Sequence, residues 1–167
     1  MKVYVTGRSG TGKSSIARAL AEQGIASIDI ADGLCHWENK HTGEYAEWEQ
    51  GSSDEWHDAH AWVCDTEQLQ KQLLAHKDIA IVGAAANQDD YLGLFDKVFV
   101  LQGDPKTMLA RIQARTDNDF GKHETEQRGI LKEFGKFESR MVEKGATPVD
   151  VSRPLEEVVA DIRSSFS

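Results

Sequence analysis

Apolar residues along this chain fall into two alternating regimes. Short runs rich in β-branched and aromatic residues, at about residues 2–6, 25–30, 78–83, 97–102 and 147–151, are separated by longer segments whose apolar positions recur every three or four residues. The first regime predicts strands and the second amphipathic helices, and their alternation predicts βαβ units around a parallel sheet covered on both faces. The helix after the first strand carries Ile16, Ala17 and Leu20 at helical spacing. A helix over about 55–76 is predicted from Trp62, Leu69 and Leu73. Another starts at Asp104-Pro105, an N-cap followed by proline at the first helical position, with Met108, Leu109 and Ile112 on one face. The last carries the stripe Leu155, Val158, Val159, Ile162 and Phe166. Two polar insertions, about 31–54 and 116–125, interrupt the alternation, and no internal repeat or low-complexity tract is present.

Between the first strand and the first helix stands Gly7-Arg8-Ser9-Gly10-Thr11-Gly12-Lys13-Ser14, which matches GxxxxGK(S/T) in the context that motif requires. Glycines let the backbone curl so that successive N–H groups converge on one point, where a helix N-terminus adds partial positive charge; together they suit a phosphate. Lys13 brings a full charge to the β- and γ-phosphates of a nucleotide. The Ser14 hydroxyl is a candidate Mg²⁺ ligand, Ser15 follows it at the helix start, and Thr6 and Ser9 are polar neighbours able to add contacts.

These residues resemble the P-loop small-molecule kinases, a family that includes nucleoside monophosphate kinases, shikimate kinase and gluconate kinase. The resemblance runs over nearly the whole chain. After the phosphate loop come an acidic turn, Asp29-Ile30-Ala31-Asp32, a third strand ending in small residues, Ile81-Val82-Gly83-Ala84-Ala85, an arginine-bearing helix with a polar loop like the family's lid, and a closing turn, Asp150-Val151-Ser152-Arg153-Pro154. It implies a three-layer P-loop NTPase fold with a five-stranded parallel sheet, an acceptor-binding insertion at about 31–62 and a short lid at about 116–125, all in one domain. It also implies ATP and Mg²⁺ as cofactors. By position, Arg111 and Arg115 become lid-hinge arginines over the ATP phosphates, and the turn carrying Arg153 borders the adenine. Lys122 and Arg128 are further lid candidates. A mobile arginine lid suits phosphoryl transfer, which needs positioning, charge neutralisation and exclusion of water more than covalent chemistry. The plain alternative for Arg111 and Arg115 is a solvated helix face pairing with Asp117 or Asp119.

Asp29 and Asp32 lie where the second strand ends, the edge at which a doubly wound sheet places ligands. In the resembling kinases a D-x-D at this turn binds the metal through water and accepts the acceptor's proton. Here the spacing is D-x-x-D, which leaves open which residue takes which role; the plain alternative is a turn cap at Asp29 and a helix N-cap at Asp32. The insertion holds Trp37, Trp48, Trp56 and Trp62 with His36, His41, His57 and His60, and no arginine. Between Asp32 and Asn87 the only basic residues besides histidine are Lys40, Lys71 and Lys77. Nucleoside monophosphate kinases grip the acceptor phosphate with arginines there and after the third strand. The expected acceptor is therefore a hydroxyl compound without a phosphate, neutral or cationic, with a flat or apolar body. His57, His60 and Cys64 share a helical spacing that can be drawn as a metal site, without a recognised signature.

Composition narrows the picture. The chain has 167 residues, 40% of them apolar, enough for one self-sufficient core and too few for a second full domain. A net charge of −9 without a basic run argues against nucleic acid or an anionic membrane as partner. With no spanning stretch and no signal-like start, a cytoplasmic protein is expected, with Cys35 and Cys64 as free thiols. A small-molecule acceptor is the expected partner, and monomer and homodimer are both compatible. A nucleoside monophosphate kinase, or an ATP-binding P-loop protein or ATPase without kinase activity, are the competing functions. A GTPase is disfavoured, since Asn39-Lys40-His41-Thr42 fails as N-K-x-D. Motor-type ATPases end an apolar strand with an acid, whereas Ile79-Ala80-Ile81-Val82-Gly83 ends without one.

Overall fold

The fold was analysed on a computed structural model that describes residues 1–166. The elements run β1 (Lys2–Gly7), α1 (Lys13–Glu22), β2 (Ser27–Asp29), β3 (Cys35–Asn39), β4 (Tyr45–Ala46), α2 (Asp54–Ala59), β5 (His60–Cys64) and α3 (Thr66–Ala75). They continue with β6 (Ile79–Val82), β7 (Lys97–Gln102), α4 (Pro105–Ala114), α5 (Glu124–Lys132), α6 (Lys136–Glu143), β8 (Thr147–Asp150) and α7 (Leu155–Arg163). The five strands read from the sequence form one parallel sheet in the order β2-β6-β1-β7-β8.

Burial on both faces explains why these strands read as continuous apolar runs. On one face Val3, Val5, Val82 and Leu101 pack against Ile16 and Leu20 of α1 and Val158, Val159 and Ile162 of α7. On the other, Tyr4, Ile79 and Ile81 pack against Leu69 and Leu73 of α3 and against Tyr91. A smaller cluster of Val100, Met141 and Ala146 seats α6. The result is the three-layer α/β P-loop NTPase architecture. No described helix is long and apolar enough to cross a membrane.

The helix predicted over 55–76 is three elements instead of one. α2 is capped by Ser53, whose side chain accepts from the Trp56 N–H, and α3 by Asp65, whose side chain accepts from the Gln68 N–H. Between them His60–Cys64 is extended and pairs antiparallel with β3, with β4 on β3's other edge. Trp62 thus lies opposite Trp37 across the strand pair instead of on a helix stripe. The aromatic and β-branched character of His60-Ala61-Trp62-Val63-Cys64 favours this strand, and the N-cap at Asp65 marks the true helix start. With His57 on α2 and His60 and Cys64 on β5, the drawn metal triad is divided between elements, and no group of metal-ligating residues gathers among the described residues. At the last helix Leu155 leaves the apolar stripe and is exposed.

The second and sixth strands meet at a point without room for a side chain. A Cβ on Gly83, which follows β6, would lie 2.1 Å from Ile30 Cγ1 in the turn after β2. Gly83→Ala should therefore cost about 2–4 kcal/mol, because Ile30 is fully packed and cannot withdraw. Urea unfolding checks it, and a loss below about 0.5 kcal/mol would show that the turn yields.

Candidate functional site

Two glycines shape the loop between β1 and α1. Gly10 has φ 84° and lies so close to α4 that a Cβ would stand 2.5 Å from the Met108 carbonyl oxygen. Gly12, at φ 88°, is the N-cap of α1 and makes no side-chain cap, so the first N–H groups of the helix stay open toward the cleft. Thr11 Oγ1 braces the turn by donating to the Arg8 carbonyl at 2.8 Å. Lys13 folds back over the loop, its Nζ donating to the carbonyls of Gly7 at 2.8 Å and Arg8 at 2.9 Å. Burial pushes the Lys13 ammonium down to about 8, opposed by the charge of Asp29 and reinforced by Arg115 and Arg8. An ammonium depressed in this way favours an anion, whose phosphate charge would restore its protonated form.

Ser14 Oγ donates to Asp29 Oδ2 at 2.6 Å, and Asp29 Oδ1 accepts from the Ala31 N–H at 3.0 Å. A hydroxyl and a carboxylate set side by side at the phosphate loop are hard oxygen donors of the kind Mg²⁺ takes, so the residues fit the ion. Asp32 differs from Asp29: its backbone N–H closes the turn on the Asp29 carbonyl at 3.0 Å, while its carboxylate is exposed at the cleft and has no hydrogen-bond partner among the described residues. The alternative of an N-cap at Asp32 does not occur, because the chain turns into β3 instead of a helix.

The arginines take three different positions. Arg115, at the end of α4, donates through Nε to the Asn118 carbonyl at 3.0 Å, through Nη2 to the Phe120 carbonyl, and reaches Ser9 Oγ of the phosphate loop at 3.5 Å. Its burial lowers the guanidinium pKa, against the pull of Asp117 and Asp119. Arg111 Nη2 donates to the Val151 carbonyl at 3.1 Å, tying α4 to the turn after β8. Arg153 borders the cleft, but its guanidinium is held by Glu157 at 3.1 Å and Asp161 at 2.6 Å on α7. Arg8 is turned the other way, its Nη2 donating to the Ile130 carbonyl at 2.7 Å. Thr6 is fully buried and donates to Gln88 Oε1 at 3.1 Å, so it belongs to the support beneath the loop and not to its phosphate face.

A cleft of about 1870 Å³ joins these groups to the lobe built from β3, β4, α2 and β5. Trp37 lies at its aromatic centre, with ring centroids 5.2 Å from Trp56, 5.7 Å from Trp62 and 6.1 Å from Phe120. Phe120 comes from the lid, and it also meets Trp48 at 5.7 Å and His57 at 6.2 Å. Trp48 Nε1 and His57 Nε2 are buried without a hydrogen-bond partner. Burial lowers the His57 pKa, more than the acids Glu126, Asp54 and Asp58 raise it.

Four connections in this region were not apparent from the sequence. Glu126 is buried and accepts from the N–H groups of Gly121 at 2.9 Å, His123 at 3.3 Å and Gly51 at 3.4 Å, which fastens the lid to the acceptor lobe. The signal was present as a capping box, His123-x-x-Glu126, at the start of α5. Arg128 pairs with Asp54 at 3.1 Å, and Lys40 caps α2 by donating to the Asp58 carbonyl at 2.8 Å. Asn87, after β6, holds both the N–H and the carbonyl of Cys64 at 2.9 Å. The polar insertion read at 116–125 ends in a helix, since α5 begins at Glu124.

Sheet order, phosphate loop and lid together define a P-loop NTPase fold with the layout of the P-loop kinases. The chain belongs to the AAA domain family, which matches residues 3–132. No curated protein sequence matches it. Among solved structures it is similar to a shikimate kinase from Bacteroides thetaiotaomicron, with a TM-score of 0.58 and 12% identity over 99% of this chain and 98% of that one. It is similar also to the deoxyadenosine kinase of M. mycoides with bound dATP, with a TM-score of 0.57 and 16% identity over 99% of both chains. A gluconokinase from Sinorhizobium meliloti aligns at a TM-score of 0.51 and 20% identity over 96% of this chain and 88% of that one.

The depressed Lys13 ammonium makes nucleotide binding depend on pH. The folded-state pKa of about 8 in the free protein rises when phosphates bind, so binding takes up a proton above that pH. ATP affinity should be flat in this respect below pH 8 and fall by up to tenfold per pH unit above it. Lys13→Met should bind more weakly and lose that dependence. Dissociation constants measured from pH 7 to 10 check it; a wild-type profile parallel to that of Lys13→Met would refute it.

Proposed function

We propose that this protein is an ATP- and Mg²⁺-dependent phosphotransferase that moves the γ-phosphate of ATP to the hydroxyl of a small molecule lacking a phosphate of its own. The observation that carries this reading is the single cleft. It places a phosphate loop and the Ser14–Asp29 pair at one end, a free carboxylate at Asp32 in the middle, and an aromatic lobe without an unpaired arginine at the other.

The open N–H groups of the loop and α1 hold the phosphate chain, and the Asp150 to Pro154 turn beside Arg111 borders the base. Ser14 and Asp29 are the residues that would hold Mg²⁺, which would supply charge neutralisation to the phosphate chain. Lys13 leaves its two carbonyl partners and follows the charge on the transferring group. Asp29, occupied by Ser14, serves the metal side, while Asp32 accepts the proton of the attacking hydroxyl. Arg115 contributes charge from the lid, and Phe120 seals the cleft against water as it settles among Trp37, Trp48 and His57.

The acceptor class follows from charge. A dianion in this lobe would have to be paired, because an unpaired buried charge is costly. Lys40 is committed to the end of α2, Arg128 to Asp54 and Arg8 to α5, while Asp29, Asp32, Asp54 and Glu126 surround the same space. The tryptophan faces and the two unpartnered buried nitrogens suit a flat or apolar body carrying neutral hydrogen-bonding groups.

The test is acceptor-dependent ADP release across nucleosides, polyols and amino alcohols, beside nucleoside monophosphates. A non-phosphorylated hydroxyl compound is expected to be the best substrate. Efficient phosphorylation of a monophosphate would overturn the acceptor class, and ADP release indifferent to every acceptor would favour an ATPase. With the best acceptor, Lys13→Met should lower kcat by roughly 100-fold or more. Asp32→Asn should lower kcat by roughly 100-fold with little change in ATP affinity, whereas Asp29→Asn should raise the Mg²⁺ requirement. The reverse pattern would exchange the roles of the two acids.

A further inference from the structure

Cys35 and Cys64 are far apart in the chain but directly opposite one another in the lobe. They are register partners on antiparallel strands β3 and β5. Whether two cysteines so placed can join depends on which kind of pair they form. The flanking residues answer this: the Asp65 N–H donates to the Leu34 carbonyl at 2.8 Å, and the Lys40 N–H to the Ala59 carbonyl at 2.9 Å. Hydrogen-bonded and non-hydrogen-bonded pairs alternate along an antiparallel ladder, so Leu34/Asp65 is of the first kind and Cys35/Cys64 of the second. In the second kind the Cα atoms approach to about 4.5 Å with side chains on the same face. Disulfides span Cα separations of about 4.4–6.8 Å. Both thiols are free.

The two sulfurs also differ in access. Cys35 is half-buried and lines the cleft, whereas Cys64 is buried with its backbone held by Asn87.

We propose that Cys35 and Cys64 are an oxidisable dithiol, a modification site that a small-molecule disulfide converts to an intramolecular cross-link between β3 and β5. Cys35 loses its proton and attacks one sulfur of the small disulfide RSSR, which breaks the S–S bond and releases one RSH after proton uptake. The Cys64 thiolate then attacks the Cys35 sulfur of this mixed disulfide, forming the Cys35–Cys64 bond and releasing the second RSH. The cysteine pair gives up two electrons and two protons, and RSSR takes them. The bond closes residues 35–64 into one loop that contains β3, β4, α2 and β5. It lies one non-hydrogen-bonded pair away from Trp37 and Trp62, so the thiol state sets how freely that aromatic wall moves.

The test treats the native protein with glutathione disulfide. The expected product is a monomer with no titratable thiol, an intact mass lower by two hydrogen atoms, and full reversal by dithiothreitol. Cys64→Ser should stop at a stable glutathione adduct on Cys35, and Cys35→Ser should remain unreacted because its one thiol is buried. Amide exchange in β3 and β5 should slow on oxidation and recover on reduction. A stable adduct on the native protein, a cross-linked dimer, or two thiols that stay unreacted would overturn the cross-link. Unchanged exchange after cross-linking would overturn its effect on the lobe. Cys64→Ala replaces Cys64→Ser if the latter fails to fold.

Discussion

A loop that binds phosphate through its own backbone must keep a row of N–H groups open at the end of a fully buried strand, and much of this structure serves that need. The groups stay open because nothing else competes for them. Gly12 begins α1 without a side-chain cap, and Gly10 turns under the Met108 carbonyl where no side chain would fit. The loop carbonyls, which face the opposite way, are taken by Lys13 and Thr11. Below them Thr6, Gln88, Tyr4 and Tyr91 form a buried polar group with contacts of 3.1–3.2 Å, so the strand that carries the loop is tied sideways as well as packed.

The other end of the cleft follows a different logic. The parallel sheet is buried on both faces, and the lobe beside the cleft is built as a separate three-stranded antiparallel unit. The lid is joined to that lobe by Phe120 among the indoles, by Glu126 on the Gly51 N–H and by Arg128 on Asp54. The exposed ion pair adds little energy by itself, about 0–1 kcal/mol. Aromatic burial contributes more, and it fixes the loop that carries Phe120 against the indoles of the lobe.

The main frame was legible in the sequence because its signals are local. Five apolar runs became the five strands, and the phosphate loop was identified by a glycine pattern whose purpose is a backbone shape. The D-x-x-D turn was visible too, but a spacing alone could not divide labour between two acids. What the structure adds is that Ser14, the second residue of α1, takes the Asp29 carboxylate, while the Asp32 carboxylate has no hydrogen-bond partner among the described residues. The helix read across 55–76 failed because Trp62, Leu69 and Leu73 happen to keep helical spacing over a strand, a cap and a new helix. The N-cap at Asp65 was the local signal that should have broken it.

Sequence by itself therefore determined the five strands of the parallel sheet, the glycine loop after β1, the capped start of α4 and the lack of arginine between Asp32 and Asn87, since each depends on neighbours within a few residues or on composition. Tertiary structure alone decided where side chains distant in the chain came to rest. It turned Arg153 to α7 and Arg8 to α5, set Arg115 against Ser9, and brought Phe120 to Trp37 and Cys35 to Cys64. These placements depend on register between strands and on which helix lies over which edge of the sheet. Such choices are settled by burying the whole apolar surface at once, and no window along the chain carries them.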